Sequence, residues 1–410
     1  MARLIIQWLN TVVTDTMSTK KDEIIRTTGI SKALFIVSLV IVAAASGVAG
    51  YFVPGLLKQS SSVITINGAG SSFVFPLMSA IGANYTSSNP NVQINYQSVG
   101  SGAGITDFST KIVDFGATDA PLTGGPLGQR ANITRDTGTA LTIPESIGAV
   151  AIAYNVNGIT TGLKLNATVA AMIFQGNITK WNDPIIAGLN PSVSFPSSNN
   201  NITVVHRSDS SGTTFIFSSW LNSSNAHFPW KLGVGKAVKW GYGKATYLSL
   251  PQNVGVAGGV QQNPNTIGYV ELNYVLSSTP PMTYASILNG DHDNYVLPSL
   301  TTSTNAVNNS TVSLPTGDGD WSHVSLLNAY GGSSYPIVSF TYLLVFKELS
   351  VVSGMTQAKA QALVNYLWFV VHTGQDQGTK LSYVALPSSV VTVDEATIRT
   401  ITYNSVTLHS

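Results

Sequence analysis

The sequence predicts an α/β fold divided between two lobes or domains. Three times along the chain, a run of β-branched and apolar residues leads into a loop of small residues and then into a helix-like segment. The strands of these three units are expected at Ile64–Asn67, Val92–Gln97 and Ile202–Val205. A chain of 410 residues is also too long for one ordinary core, which favours two lobes.

The N-terminal residues predict export from the cell. Residues 33–53 read ALFIVSLVIVAAASGVAGYFV, 21 residues without a charge, which is long enough to cross a bilayer as a helix. The positive-inside rule then keeps residues 1–32 in the cytoplasm as a basic leader and leaves residues 54–63 outside as a stalk. The alternative is a cleaved signal peptide, because AAASGVAG offers small residues to a peptidase, and Met17 is an alternative start. The basic residues ahead of the apolar run are Lys20, Lys21, Arg26 and Lys32.

Further strands and helices follow the first two units. The apolar run at 147–156 predicts a strand buried on both faces, and residues 168–176 predict a helix that ends at a glycine. Residues 265–276 predict a buried strand followed directly by a helix. These pieces keep the alternation of strand and helix that is typical of α/β folds.

The C-terminal part of the chain holds one more strand and the clearest helix. Residues 336–347 predict a second long strand, and residues 355–374 predict a helix that Gly374 is expected to cap. Residues 297–320 are rich in serine, threonine, asparagine and glycine, and they predict a long loop or insertion.

The composition excludes several classes of protein. Charged residues make up only 10% of the chain and the formal net charge is +1, so we expect no nucleic-acid partner. The chain has no cysteine, which excludes disulfides, thiolate metal sites and cysteine nucleophiles. Eight N-x-[ST] sequons favour a glycosylated protein outside the cell. They begin at Asn84, Asn132, Asn166, Asn177, Asn201, Asn222, Asn308 and Asn309.

The three loops of small residues indicate an anion site. A helix N-terminus leaves its first amides unpaired and carries roughly half a positive charge, and small residues let those amides approach a ligand closely. The third loop, at 206–214, also places Arg207 beside Asp209. A plain helix cap is the other interpretation of each loop, and the loops alone leave both interpretations open.

Other chemistries find little support in the sequence. The glycine-rich loops at 68–70 and 100–104 lack the G-x-G-x-x-G spacing, and no G-x-x-x-x-G-K-[ST] occurs, so no nucleotide cofactor is expected. The six histidines show no metal-ligand spacing. Ser211 near His206 suggests a hydrolase, but G-x-S-x-G is missing and an extended segment directs His206 away from Ser211. We therefore expect no cofactor, no metal and no catalysis.

Seven segments of the chain resemble one family, the phosphate-binding proteins of the high-affinity phosphate ABC transporter. They occur in the family's order and cover nearly all of residues 64–391. The resemblance implies a periplasmic-binding-protein-like fold, in which a hinge joins two α/β lobes around a ligand cleft. Lobe one is then 64–150 with 336–410, and lobe two is 151–335. The segments are INGAGSSFVFPL (66–77), NYQSVGSGAGITDF (95–108), VDFGATDAPLT (113–123), GNITKWNDPIIAGLNP (176–191), VVHRSDSSGTTFIFSSWL (204–221), IGYVELNY (267–274) and LSYVALPSSVV (381–391).

The same resemblance implies the phosphate contacts, residue by residue. Hydroxyls and backbone amides at three helix starts, one arginine and one carboxylate are the implied ligands. Asp209 is expected to orient the arginine, and Gly102 stands where the family often has a second serine, which leaves a weaker or backbone-only contact there. The implied contacts are Ser72, Phe73, Ser101, Asp119, Arg207, Ser211, Gly212 and Thr213.

Asp119 is expected to set the specificity of this site. A buried carboxylate repels a fully deprotonated oxyanion, but it accepts a hydrogen bond from monohydrogen or dihydrogen phosphate. Sulfate has no proton to donate at neutral pH. A site built around a hydrogen bond rejects an analogue that lacks it by about 10⁴–10⁵ in favourable cases.

The predicted function is that of a receptor on the outer face of the membrane that binds inorganic phosphate. It delivers the ligand to an ABC permease driven by a cytoplasmic ATPase, and an N-terminal helix tethers it to the membrane. The alternatives are a binding protein for sulfate, molybdate or tungstate, an exported phosphoesterase, and an adhesion protein. A phosphoesterase requires a metal cluster or an activated nucleophile, and the sequence offers neither.

Overall fold

A nine-stranded mixed sheet organises this computed structural model, which describes residues 63–224, 228–241 and 243–409. A three-stranded sheet and a two-stranded ribbon lie beside it. The strands are β1 (Ile64–Gly70), β2 (Val92–Ser98), β3 (Phe115–Thr118), β4 (Ala140–Asn155), β5 (Lys164–Leu165), β6 (Thr203–Arg207), β7 (Thr246–Leu250), β8 (Thr266–Glu271), β9 (Thr283–Tyr284), β10 (Ser286–Leu288), β11 (Tyr295–Val296), β12 (Val338–Phe346), β13 (Thr402–Tyr403) and β14 (Val406–Thr407).

Helices connect the strands and cover the sheet. The longest, Gln357–Val371, buries eight side chains, and Thr356 caps its N-terminus. The helices are α1 (Phe75–Ser88), α2 (Ser101–Ser109), α3 (Gln129–Asp136), α4 (Ala167–Phe174), α5 (Pro184–Leu189), α6 (Gly212–Ser223), α7 (Gln252–Gln262), α8 (Leu272–Leu276), α9 (Leu300–Asn308), α10 (Gln357–Val371), α11 (Asp376–Lys380) and α12 (Ser388–Ile398), with 3₁₀ turns at Leu349–Val351 and Thr373–Gln375.

The large sheet consists of two parallel halves joined by two antiparallel strands. Its order is β2-β1-β3-β12-β4-β8-β6-β7, and β9 also pairs with β4. In the first half, β1 runs parallel to β2 and β3, and in the second half β6 runs parallel to β7 and β8. Between the halves, β12 is antiparallel to β3 and β4, and β4 is antiparallel to β8. The two halves therefore share one continuous sheet.

The joining strands are the two long apolar runs of the sequence. In β4, every residue from Ala140 to Tyr154 is buried, and β12 is buried except at Ser339. Strands buried on both faces read as continuous apolar runs, so the predictions at 147–156 and 336–347 are confirmed. The strands predicted for the three strand-loop-helix units are confirmed as well.

The structure corrects the prediction of a long loop at 297–320. Residues Leu300–Asn308 form α9 because Ser299 and Thr302 cap each other: the Ser299 hydroxyl accepts from the Thr302 amide, and the Thr302 hydroxyl accepts from the Ser299 amide. Ser303, Ala306 and Val307 recur at helical spacing and are buried. The polar composition of the stretch conceals this short buried stripe.

The predicted helix ends also need correction. Helix α10 ends at Val371 with His372 as its C-cap, and Gly374 lies two residues further on in a 3₁₀ turn, so it is not the cap. Two helices begin earlier than the sequence suggests, α2 at Ser101 and α6 at Gly212. In both cases the last residues of the small-residue loop form the first helical turn.

Within the described residues, no helix is both long and apolar enough to cross a membrane. The predicted leader at 1–32, the anchor at 33–53 and nearly all of the stalk at 54–63 lie outside those residues.

Candidate anion site

The loops predicted to form a site meet in the structure. Because β1 runs parallel to β2 and β3, the carboxyl ends of these strands lie at one edge of the sheet. Ser72, Ser101 and Asp119 follow those ends, and Arg207 ends β6 of the second half. A Cβ on Gly212 would overlap the Asp119 Oδ2 and Ser101 Oγ atoms, so the α6 N-terminus lies directly against Asp119. The predicted site residues other than Asp209 and Gly102 are all buried.

Asp119 is the acceptor at the centre of the cluster. Its Oδ1 accepts from the Ser71 hydroxyl and from Thr341 Oγ1 at 3.0 Å. Ser101 Oγ lies 3.3 Å from Oδ2 and also accepts from the Asp119 amide at 3.2 Å. Burial raises the pKa of Asp119 to about 6, against the opposing effects of Ser71, Thr341 and the Arg207 charge. The carboxyl is therefore an ionised acceptor at neutral pH.

Arg207 is held by Asp209 in a two-pronged contact. Arg207 Nε donates to Asp209 Oδ1 at 2.7 Å, and Nη2 donates to Oδ2. Burial works to raise the pKa of Asp209, but the hydrogen bonds and charge of Arg207, with the Gln252 amide, bring it below its usual value. The other terminal nitrogen, Nη1, lies 3.4 Å from Thr213 Oγ1. Asp209 thus fixes the guanidinium plane and turns Nη1 towards the α6 N-terminus.

Three hydroxyls around this cluster accept hydrogen bonds without donating any among the described contacts. Ser72 Oγ accepts from the amide and side chain of Asn253, at 3.1 and 3.0 Å. Ser211 Oγ caps α6 by accepting from the Thr214 amide, and Thr213 Oγ1 accepts from Asn253 Nδ2 at 3.0 Å. A hydroxyl that already accepts keeps its hydrogen for another partner. Each side chain is at most 2% exposed, so that partner must itself lie inside the protein.

Two backbone amides at predicted phosphate contacts donate to groups of the protein itself. The Phe73 amide donates to Ser71 Oγ at 3.0 Å, and the Gly102 amide donates to the Ser210 carbonyl at 2.9 Å. The Gly102 bond joins α2 to the arginine loop of the second half. Gly100, which precedes α2, adopts a positive φ of 90°, and a Cβ there would overlap Asp209.

The sequence prediction missed several residues that complete the cluster. Asn253, fully buried at the start of α7, bridges Ser72 and Thr213, and its Oδ1 accepts from the Glu271 amide at 3.0 Å. Ser71 and Thr341 hold Asp119. PQNVG at 251–255 does start a helix after a strand, as the predicted loops do, but it has no serine-glycine pair. Thr341 had no signal, because it lies inside an apolar strand.

The geometry offers no activated nucleophile at Ser211. The His206 ring stacks on Trp240, with ring centroids 4.9 Å apart, and His206 Nδ1 lies 3.0 Å from the Arg207 carbonyl oxygen. Among the residues that the structure describes, no three histidine, aspartate or glutamate side chains are grouped as a metal site. The arrangement is suited to binding an oxyanion: donors surround one ionised acceptor.

A family model described as the PBP superfamily domain matches residues 57–369. The chain is 36% identical to phosphate-binding protein PstS of Xylella fastidiosa over 349 residues, which cover 84% of this chain and 87% of the relative. It is 35% identical to PstS of Haemophilus influenzae over 328 residues, 80% of this chain and 90% of the relative. It is 32% identical to PstS of Methanocaldococcus jannaschii over 343 residues, 82% of this chain and 86% of the relative.

Solved structures share the fold at lower identity. A high affinity periplasmic phosphate-binding protein bound with phosphate superimposes with a TM-score of 0.64 at 18% identity, covering 81% of this chain and 93% of that chain. A phosphate-binding protein from Stenotrophomonas maltophilia gives a TM-score of 0.62 at 17% identity, covering 82% and 93%. At these identities the structures establish the fold alone, a mixed α/β arrangement of two lobes.

Proposed function

Because the chain belongs to the PBP superfamily and, within it, to the family of PstS phosphate-binding proteins, we propose that it is an exported receptor for inorganic phosphate. It binds the ion between its two lobes and delivers it to an ABC permease. The relatives that share a third of its sequence are phosphate-binding proteins, which supports this substrate.

The observation that carries the proposal is the hydrogen-bond inventory of the buried cluster. Ser72, Ser211 and Thr213 each keep a hydroxyl hydrogen for a further partner, and Arg207 Nη1 adds a charged donor beside them. Asp119 Oδ2 is the acceptor among these donors, with one contact at 3.3 Å. A tetrahedral anion that carries one proton satisfies both kinds of group, because its bare oxygens accept and its O–H donates.

Titration calorimetry with phosphate and sulfate tests this function. We expect one phosphate per chain, bound tightly, and we expect excess sulfate not to displace it. Displacement by sulfate at similar concentration would instead indicate a receptor for a fully deprotonated oxyanion, such as sulfate, molybdate or tungstate. Measuring hydrolysis of a chromogenic phosphate ester separates a receptor from a phosphoesterase, and we expect none.

We infer that the lobes are 64–150 with 336–410 and 151–335, and that β4 and β12 form the hinge between them. Two contacts between the sheet halves support a closed arrangement: Gln252 Nε2 donates to the Ser98 carbonyl at 2.6 Å, and the Tyr274 hydroxyl donates to the Ser72 carbonyl at 2.7 Å. Closing by rotation about the shared strands would bring these partners together. X-ray scattering with and without phosphate measures the change in radius of gyration.

We further propose that residues 33–53 anchor the receptor in the membrane and that its sequons carry glycans. The uncharged run of 21 residues and the basic residues ahead of it support the anchor. Five of the eight sequon asparagines are exposed: Asn177, Asn201, Asn222, Asn308 and Asn309. Mass spectrometry of the protein from its native membrane distinguishes an intact N-terminus from a cleaved one and detects attached sugars.

A further inference from the structure

Glu145 is a fully buried carboxyl that none of the proposed phosphate contacts includes. It lies in a β-bulge between the two joining strands. Thr341 of β12 is opposite Ser146, and Tyr342 is opposite Pro144, so Glu145 is the extra residue. A bulge redirects a side chain and frees backbone groups, and here Gln375 Nε2 donates to the Glu145 carbonyl at 2.9 Å. The bulge brings the Glu145 carboxyl within reach of the Thr341 hydroxyl.

Thr341 connects two carboxyl groups with a single hydroxyl. Its Oγ1 lies 3.0 Å from Asp119 Oδ1 and 3.1 Å from Glu145 Oε1. A hydroxyl has one hydrogen, so it cannot donate to both carboxylates. One of the two carboxyls must therefore carry a proton and donate it to Thr341, because two ionised groups would leave an oxygen facing an oxygen without a hydrogen.

The surroundings place that proton on Glu145. Asp119 has the positive charge of Arg207 nearby and accepts from the Ser71 hydroxyl. Glu145 has no cationic neighbour among the described residues, and its Oε2 has no hydrogen-bond partner there. An ionised carboxylate in that position would be a buried charge without compensation.

The other titratable groups around the pair do not supply the proton. Tyr96 and Tyr366 lie near enough to interact electrostatically with Glu145. Burial raises the pKa of each phenol, so both stay neutral. Glu271 acts on Asp119 and is itself buried, with its pKa raised well above the usual value. The other titratable groups that interact electrostatically with Asp119 are Tyr96, Arg207, Tyr274, Tyr342 and Tyr383.

We propose that a protonated Glu145 is a positioning residue for the phosphate site, acting through Thr341. Glu145 donates to Thr341 Oγ1, and Thr341 then donates to Asp119 Oδ1. With Ser71 and Thr341 both donating to Oδ1, the oxygen left to accept from a ligand is Oδ2, which lies beside Gly212 and has only the 3.3 Å contact with Ser101 Oγ among the described residues. Glu145 thus selects which Asp119 oxygen receives the ligand proton. The inference rests on the proposed phosphate binding and deepens it.

Loss of the Glu145 proton sets the pH dependence. Burial, reinforced by the Asp119 charge, raises the pKa of Glu145 to about 8, against the lowering effect of Thr341. An arriving anion raises that pKa further, so binding above pH 8 must take up one proton. Phosphate affinity then falls by up to about tenfold per pH unit there, beyond the effect of the ligand's own ionisation. The ligand's ionisation is common to all variants and cancels in ratios of affinity.

The test compares phosphate affinity by calorimetry between pH 6.5 and 9.5 for the wild type and Glu145→Gln. The amide is a weaker donor, so we expect affinity about threefold lower at pH 7. Above pH 8 the ratio of variant to wild-type affinity should rise by about tenfold per pH unit. Calorimetry in two buffers of different ionisation enthalpy counts the protons taken up when phosphate binds. At pH 9 we expect the wild type to take up about one proton more than Glu145→Gln.

Matched variants distinguish the hydrogen-bond relay from Glu145 through Thr341 to Asp119 from a role of these side chains in packing alone. Glu395→Gln, at a partly exposed carboxyl on α12, should follow the wild-type pH profile. Thr341→Val keeps the shape and loses the hydroxyl, so affinity should fall about tenfold, and Thr341→Ser should restore most of it. If the ratio of Glu145→Gln to wild-type phosphate affinity does not change between pH 6.5 and 9.5, the relay is wrong, although the proposal that the protein binds phosphate is unaffected. If the wild type binds no phosphate at any pH, the proposed function itself fails.

Discussion

Single residues decide the charge balance of this site. Asp119 and Arg207 are both nearly fully buried, and their environments keep them in different roles. Asp209 occupies Nε and Nη2 of Arg207, while the hydroxyls of Ser71 and Thr341 stabilise the ionised form of Asp119. The chain needs no excess of basic residues to bind an anion, because these local contacts orient every donor.

Replacing Asp119 with asparagine should relax the discrimination against sulfate. The amide can donate to a bare sulfate oxygen, whereas the carboxylate repels it. We expect the ratio of phosphate to sulfate affinity to fall by at least about 100-fold, measured by competition calorimetry at pH 7. An unchanged ratio would remove Asp119 from the specificity mechanism.

Replacing Asp209 with asparagine should destabilise the fold as well as weaken binding. The Arg207 side chain is 1% exposed, so losing its partner leaves a buried charge without compensation. We expect the free energy of unfolding to fall by about 3 kcal/mol in denaturant titrations. The exposed pair Arg135–Asp136 is the control, and Asp136→Asn should leave stability nearly unchanged. Equal effects for the two variants would contradict the structural role of Asp209.

At the scale of elements, strands were easier to predict than helix starts. Continuous apolar runs indicate buried strands directly, so the sequence predicts β4 and β12. The sequence pattern predicts the starts of α2 and α6 too late, because the small residues that form the first turn are typical of loops as well. Thr341, Asn253 and Glu145 were beyond prediction, because a strand register, a bulge and contacts over long sequence distances place them in the site.

Helix α9 gives a direct test of the corrected loop prediction. Ser299→Ala removes the hydroxyl that accepts from the Thr302 amide. We expect a loss of about 1 kcal/mol in the free energy of unfolding, typical of N-cap removal. Phosphate affinity should stay at the wild-type value, since α9 contributes no residue to the site. If Ser299→Ala has the same free energy of unfolding as the wild type, the cap does not stabilise this helix.

The close approach of α6 to Asp119 can be tested with one methyl group. Gly212→Ala places a Cβ against Asp119 and Ser101, so we expect phosphate affinity to fall by about 100-fold or more, measured by calorimetry. Gly188→Ala, in α5, is the control because a Cβ there meets no atom. Should Gly212→Ala bind phosphate as the wild type does, α6 does not lie this close to Asp119 in the bound form.

At the scale of the whole molecule, buried carboxyls should make stability decline with rising pH. Burial raises the pKa of Asp119 to about 6 and of Glu145 to about 8, and it raises those of Glu271 and Asp394 well above the usual range. These groups ionise near pH 4 in the unfolded chain, so the folded state holds more protons between about pH 4 and 8. His206, whose pKa burial lowers, acts in the opposite direction, and so do Asp209 and Glu348, whose lowered pKa values make stability rise with pH at the acid end of this range.

We therefore expect the free energy of unfolding, measured by denaturant titration without phosphate, to fall as pH rises from 4 to 8. Asp119 alone contributes on the order of 3 kcal/mol to that fall. Asp394→Asn should flatten the profile, because both Asp394 oxygens lack a hydrogen-bond partner among the described residues. A stability that rises with pH over this range would contradict the assigned protonation states.

The two strands shared by the sheet halves also determine which amides exchange with solvent. Residues of β4 pair with β12 over their first part and with β8 over their last part. A lobe rotation that keeps this ladder intact leaves those amide protons protected in both ligand states. The amides of Gly102 and Asn253, which bond across the halves, are exposed when the halves separate. Deuterium uptake should therefore respond to phosphate at these contact points and remain unchanged along β4.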